Sequence, residues 1–212
     1  FGADWFDIDI SDGHVGEIRL EKGLVKITEL GGGEDSQEKI DISLDLVTPL
    51  RPALELLDTE PLKLVSGIGL DVSSIAGDAR GYVHFAFPLL NDLKTEQIEV
   101  QADARVADLV MTNGFFGAPI TGKDMALFVT NDGMDVSGEV EVGEVKVVST
   151  WRENFADSED MKSRLTVAGK VSEQTLATYG LEVSDYLVGD VQAEAVINRY
   201  RDGRQDVDLI AD

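Results

Sequence analysis

The chain has 212 residues, with 18 lysines and arginines against 41 aspartates and glutamates, so its net charge is −23 at pH 7. This charge argues against binding to nucleic acid, which needs clustered cations, and against electrostatic docking on anionic lipid head groups. Without cysteine there are no disulfides or thiolate metal sites, and no run of about 18 apolar residues could span a membrane as a helix.

Alternating apolar and polar residues predict strands throughout the first half of the chain. The stretches are DWFDIDI (4–10), KIDISLDLV (39–47), ARGYVHFAF (79–87) and QIEVQADARV (97–106). In each, every second side chain is apolar, which is typical of a sheet with one covered face and one face in water. GGGEDSQEK (31–39) is predicted to be a polar loop.

Two short helices are predicted to interrupt the strands. The first covers 49–58, with Thr48 as the N-cap and Pro49 at the first helical position. The second covers 172–180 and ends at Gly180, a residue type favoured after the last helical turn.

Two turn signals predict a three-stranded meander over 123–152. Asp132-Gly133 favours a two-residue hairpin, and Gly143-Glu144 favours a mirror-type turn. Together they fix a register with three transverse rows on one apolar face. In these rows Val129 faces Val136 and Val136 faces Trp151; Leu127 faces Gly138 and Gly138 faces Ser149; Met125 faces Val140 and Val140 faces Val147.

The other face of this meander is predicted to be polar, with Phe128 and Val148 as exceptions. A one-residue slip would invert the two faces, so the clean separation supports the predicted register. Gly138 leaves a gap among the larger apolar side chains. We expect this gap either to bend the sheet or to admit a neighbouring side chain.

Two similar stretches predict a degenerate internal repeat. GLDVSSIAGD (69–78) and GLEVSDYLVGD (180–190) share Gly-Leu, Val-Ser and Gly-Asp, and each leads into a predicted strand. We therefore expect one β-rich segment over 1–212, with repeat units of about 1–110 and 111–212. Because it starts at Phe1, we expect it to be cut from a longer protein.

The fold predicted from these patterns is mainly β: an antiparallel meander forming a long curved sheet with one apolar face and two short helices. Either a second sheet covers that face as core, or part of it lines a groove for an apolar ligand. Nucleotide-binding, hydrolase and metalloprotease motifs are absent from the sequence, so we expect no enzyme, metal or cofactor. The candidate ligand-contact residues are Met125, Leu127, Val129, Val136, Gly138, Val140, Val147 and Trp151.

Several passages resemble a family of large bacterial envelope proteins, the AsmA-like proteins with the DUF3971 domain, of the YhdP and TamB type. The similarity extends over residues 40–212 and depends on glycine, proline and strand spacing. Its main passages are AFPLL (86–90), NDGMDVSGEVEVGEVKVVSTWRENF (131–155), Tyr179-Gly180-Leu181, the Gly189-Asp190 step and VDLIAD (207–212).

The resemblance implies a periplasmic segment of a protein that is anchored in the inner membrane. It implies a non-catalytic role, in which the apolar sheet face carries or shields phospholipid acyl chains between the inner and outer membranes. The family supplies no catalytic residues to transfer. The alternative from the residues is a β-sandwich structural or adhesion module without a lipid ligand, whose edge strands pair with neighbours.

Overall fold

Strands make up most of the chain. The computed structural model describes residues 5–30, 37–59, 65, 70–114, 117–156, 158–172 and 190–211. Within them the strands are β1 Trp5–Ile10, β2 Gly13–Val15, β3 Ile18–Thr28, β4 Lys39–Pro49, β5 Ile75–Pro88, β6 Glu99–Met111, β7 Ile120–Thr130, β8 Gly133–Val142, β9 Val145–Asn154, β10 Met161–Ser172, β11 Asp190–Tyr200 and β12 Gln205–Ala211. The helix α1 is Leu50–Leu57, and short 3-10 turns are Val72–Ser74 and Thr95–Gln97.

All twelve strands of the described residues belong to one antiparallel sheet. Its order is β1-β3-β4-β5-β6-β7-β8-β9-β10-β11-β12, with β2 paired to β3. Consecutive strands are neighbours because short connections favour antiparallel pairing. The sheet stays open in this part of the chain, with β1 and β12 at its edges. The predicted mainly β, antiparallel meander is therefore confirmed.

The helix α1 is where the sequence predicts one, but its start is one residue later. Pro49 is the N-cap and has an extended backbone with ψ of 141°, and the Thr48 hydroxyl donates to the Pro49 carbonyl at 2.9 Å. The predicted Thr48 cap is therefore wrong. Its cause is tertiary: β4 continues to pair with β5 as far as Pro49 and Asp78, which keeps Thr48 and Pro49 extended.

The core lies where α1 packs on the middle of the sheet. We call the face of the sheet that carries α1 the inner face and the opposite one the outer face. The helix places Leu50 and Leu54 against this face. The buried cluster beneath consists of Leu50, Ile75, Ala79, Val106, Ile120, Met125 and Val140. Burying each of these larger aliphatic side chains contributes about 1.5–3 kcal/mol.

Parts of two predictions lie outside the described residues. The second predicted helix (172–180) does so except for Ser172, which ends β10, and so does the second repeat copy up to Gly189. In the first copy, 70–78 forms the 3-10 turn and the start of β5. The repeat and its division near residue 110 stay predictions.

The predicted register of the meander is half right. Between β8 and β9 the pairs Val136–Trp151, Gly138–Ser149 and Val140–Val147 are those expected. Between β7 and β8 the prediction is wrong by two residues, since Leu127 pairs with Val136 and Met125 with Gly138. A slip of two leaves every side chain on its predicted face.

The slip follows from the position of the first turn. Thr130 pairs with Gly133, so the two turn residues are Asn131 and Asp132 rather than Asp132 and Gly133. The Asn131 side chain accepts from the Val100 N–H and donates to the Ile98 carbonyl, both at 2.7 Å. These bonds clamp the turn to the start of β6, a long-range interaction that local turn preferences do not contain.

Replacing Asn131 by alanine should therefore destabilise the sheet. Two partly buried backbone groups lose their partner, and we expect the free energy of unfolding to fall by about 2 kcal/mol. Asn131→Asp, which keeps the acceptor and loses the donor, should give a smaller loss. Urea denaturation of the three proteins measures this, and equal stability of wild type and Asn131→Ala would contradict the clamp.

Candidate functional site

The eight candidate residues all lie on the inner face of β7, β8 and β9. The transverse rows are Met125–Gly138–Ser149, Leu127–Val136–Trp151 and Val129–Met134–Glu153, and Val140 pairs with both Gly122 and Val147. The predicted separation of faces is confirmed, since Asp135, Glu139 and Lys146 point to the outer face. These candidates divide into a buried group and a half-buried group.

The buried group lies next to the helix-covered core. Met125 is 3% exposed and Val140 is 5% exposed. A Cβ atom on Gly138 would come within 2.6 Å of the Met125 sulfur, and one on Gly122 within 2.9 Å. The Met125 side chain thus fills the gap predicted at Gly138, since methionine adapts well to irregular spaces.

A bulge in β7 makes this placement fit. The register shifts between Gly122 and Met125, so that Lys123 and Asp124 both face outward and are exposed. A bulge adds one residue and bends its strand. The next residue, Met125, then returns to the inner face and reaches the core.

The half-buried group extends away from the core along the same strands. Leu127, Val129, Val136, Val147 and Trp151 are all partly accessible to water. The described residues form a single sheet, so no second sheet of this part of the chain covers them. These side chains therefore form an apolar surface that is only partly closed.

The partly open surface continues onto the earlier strands. In register, the row of Leu127 continues through Ala104 and Gly81 to Leu46, and the row of Val129 continues through Ala102 and Val83 to Leu44. Most of these positions are apolar and half-buried. We call this surface the open track; its larger half-buried members are Ile42, Leu44, Leu46, Val83, Phe85, Leu127, Val129, Val136 and Trp151.

The outer face has a different chemistry. Arg105 Nε donates to Asp124 Oδ1 at 2.8 Å, and this bond holds the pKa of the Asp124 carboxyl below its usual value. Arg152 likewise pairs with Asp135. Such exposed pairs each contribute at most about 1 kcal/mol. Phe128 and Val148 are the predicted apolar exceptions and are exposed.

Glu153 is a residue of the site that the sequence reasoning missed. It is 3% exposed and lies on the inner face between Met134 and Ser163, which are also buried. The Trp151 Nε1–H donates to Glu153 Oε2 at 3.2 Å. The signal was available, because Glu153 follows Trp151 by two positions and two positions preserve the face of a strand.

Burial raises the pKa of Glu153, although the Trp151 hydrogen bond and the charges of Lys162, Arg199 and Arg201 act in the opposite direction. At pH values between the ordinary glutamate pKa of 4.5 and the raised pKa of the folded state, the folded protein therefore keeps a proton on Glu153 that the unfolded chain has released. Stability contributed by this group is complete at lower pH and is lost as pH rises through the folded pKa.

Glu153→Gln should consequently stabilise the protein near neutral pH. A neutral side chain of the same shape removes the desolvation of the ionised carboxylate, and we expect a gain of about 1 kcal/mol. The gain should vanish well below the unfolded pKa, where Glu153 is protonated in both states. Urea denaturation at both pH values measures it, with Glu139→Gln as the control that removes the same net charge from the outer face. A variant less stable than wild type near neutral pH would show that the carboxylate is stabilising.

Other site chemistry is not apparent in the described part of the chain. There, no three histidine or acidic side chains converge in a way that would hold a metal ion. Among the described helices none combines the length and apolar composition needed to cross a membrane. Comparison with protein-family models, curated proteins and solved structures found no match for this chain. The resemblance to AsmA-like proteins therefore stays a prediction.

Proposed function

We propose that this chain is a non-catalytic segment whose open track carries or shields the acyl chains of phospholipids. The observation that carries the proposal is the contrast within β7: Met125 is sealed in the core, whereas Leu127 and Val129, on the same face, are half-buried. A sheet face used only as core would be closed at all three positions. A face that takes up an apolar ligand needs a closed part for stability and an open part for contact.

The energetics suit an acyl chain. Each methylene that leaves water for an apolar surface contributes about 0.8 kcal/mol, so a few contacts bind a lipid tail. The rows from β4 to β8 present apolar side chains with few polar groups to fix a ligand in one position. An acyl chain is therefore free to move along the open track, which a protein that transports lipids requires.

The proposed place is the bacterial periplasm, in a longer protein anchored in the inner membrane. This part depends on the resemblance to AsmA-like envelope proteins, which are built for transfer between the inner and outer membranes. The chemistry of the chain is compatible with that location, since a cysteine-free, strongly acidic protein needs no reducing compartment.

A quenching experiment tests the proposed function. In a Trp5→Phe background Trp151 is the remaining tryptophan, and phosphatidylcholine vesicles with brominated acyl chains quench tryptophan only at close contact. We expect concentration-dependent quenching of Trp151, and none of Trp5 in the reciprocal Trp151→Phe protein at low vesicle concentration. Full Trp151 emission at saturating vesicle concentration would refute contact with acyl chains.

The alternative is a structural or adhesion module, and the edge strands favour it. On β1, Phe6 and Ile8 are 53% and 42% exposed, and on β12, Val207 and Leu209 are 58% and 54% exposed. Exposed apolar edges are sites where another strand adds to a sheet. Under this alternative a partner's strands or sheet covers the track, and a lipid-free protein should self-associate or capture strand peptides, with Trp151 insensitive to brominated lipid.

A further inference from the structure

Glu153 is an unusual residue for the surface on which it lies. Among the inner-face positions of β7, β8 and β9, all of which are described, it is the one with a charged side chain. It also contacts Trp151, an aromatic member of the open track, through the indole N–H. Burying a carboxyl costs stability unless it is hydrogen-bonded or paired with an opposite charge.

We propose that Glu153 is a positioning residue for Trp151, and that ionisation of its carboxyl weakens the contact between the open track and acyl chains. The inference rests on the proposed function for its ligand, but the coupling between Glu153 and Trp151 is a property of the protein alone. The two are separable by experiment.

The argument begins with the neutral form. A protonated Glu153 beside Trp151 and Met134 leaves this end of the track uncharged, so water gains little by entering. An ionised carboxylate requires solvation or a stronger hydrogen bond. The ionised carboxylate attracts water to the row of Val129, Met134 and Glu153 and strengthens its hydrogen bond with the Trp151 indole N–H. Both effects change the apolar surface that an acyl chain contacts.

Cationic side chains from neighbouring elements act on the Glu153 carboxyl. From β10, Lys162 acts on it and Ser163 is its partner in the strand register. The other cations are Arg199 of β11 and Arg201 of the β11–β12 turn. On the β8 side its neighbour is the apolar Met134. Arg201 is held in place by donating to the carbonyls of Asn154 and Ala156 at 2.9 and 2.6 Å. Burial raises the pKa of the Glu153 carboxyl above its ordinary value, so this carboxyl ionises at a higher pH than an exposed glutamate does.

The first experiment uses no ligand. In the Trp5→Phe protein, Trp151 emission is followed between about pH 4 and pH 8, where Glu is the side chain of the pair that titrates. We expect a single transition above the ordinary Glu pKa of 4.5, absent from Glu153→Gln and still present in Glu153→Asp, which keeps a carboxyl. A flat wild-type profile, or the same transition in Glu153→Gln, would overturn the inference. If the variants do not fold, a flat wild-type profile still overturns the inference.

The second experiment adds phosphatidylcholine vesicles with brominated acyl chains at the two ends of this pH range. We expect Trp151 quenching in the wild type to be several-fold stronger at the lower pH, and Glu153→Gln to show strong quenching at both. Quenching that does not depend on pH would refute the inference and leave the proposed function standing. A Trp151 transition without quenching at any pH would refute the proposed function and support the positioning role.

Discussion

Met125→Asp is expected to unfold the protein. The Met125 side chain is buried beside Gly122, Gly138 and Val140 in a cluster of apolar side chains, and within that cluster of the described residues a new carboxylate has no ion-pair partner. An unpaired buried charge of this kind costs about 4 kcal/mol or more. That is a large share of the about 5–15 kcal/mol by which domains are stable.

Circular dichroism and urea denaturation measure this effect. The control is Met125→Leu, which conserves apolar volume and should cost less than about 1.5 kcal/mol. If Met125→Asp folded with an unchanged urea midpoint, Met125 would not be core, and the division of the inner face into a closed part and an open part would be wrong.

Leu127→Asp, unlike Met125→Asp, is expected to give a folded protein. This variant should no longer contact acyl chains. Leu127 is half-buried and lies two residues from Met125 on the same face, so a carboxylate there reaches water without leaving its strand. We expect a stability loss of about 1–2 kcal/mol, within the common range for a point mutation.

The effect of Leu127→Asp on ligand contact should be much larger. A tail lying in the track must pass the new charge, and we expect the apparent affinity for brominated phosphatidylcholine to fall about tenfold or more, equivalent to about 1.4 kcal/mol. Thr150→Asp is the matched control, because it adds the same charge at an exposed outer-face position of β9. Loss of folding in Leu127→Asp would place this residue in the core. An equal loss of affinity in both variants would point to net charge rather than the face.

The sequence predicted the faces of the sheet better than its details. Period-two alternation assigns each residue to a face whatever the exact register, which is why a two-residue slip between β7 and β8 left all eight candidates together. The slip itself arises from the bonds between Asn131 and the backbone of β6, and the shifted start of α1 arises from pairing of Pro49 with β5. Both causes are tertiary and lie far from the residues that they move.

Which residues of the inner face are buried also depends on tertiary contacts. Alternation shows that Met125 and Leu127 share a face. It does not show which of the two is buried by α1 and the cluster of apolar side chains around it. Glu153 was accessible to sequence reasoning through its spacing from Trp151, whereas its burial and its bond to the indole come from the packing of β8 and β10 around it.

The most direct test of the central claim is to ask what the purified protein carries. Organic extracts of wild type, Leu127→Asp and Thr150→Asp are analysed by mass spectrometry beside an unrelated protein of similar acidity. We predict stoichiometric phospholipid or fatty acid in wild type and Thr150→Asp, and its loss from folded Leu127→Asp. Lipid-free extracts from all of them, with Trp151 shielded from aqueous quenchers in the folded wild type, would contradict the account and identify the inner face as core.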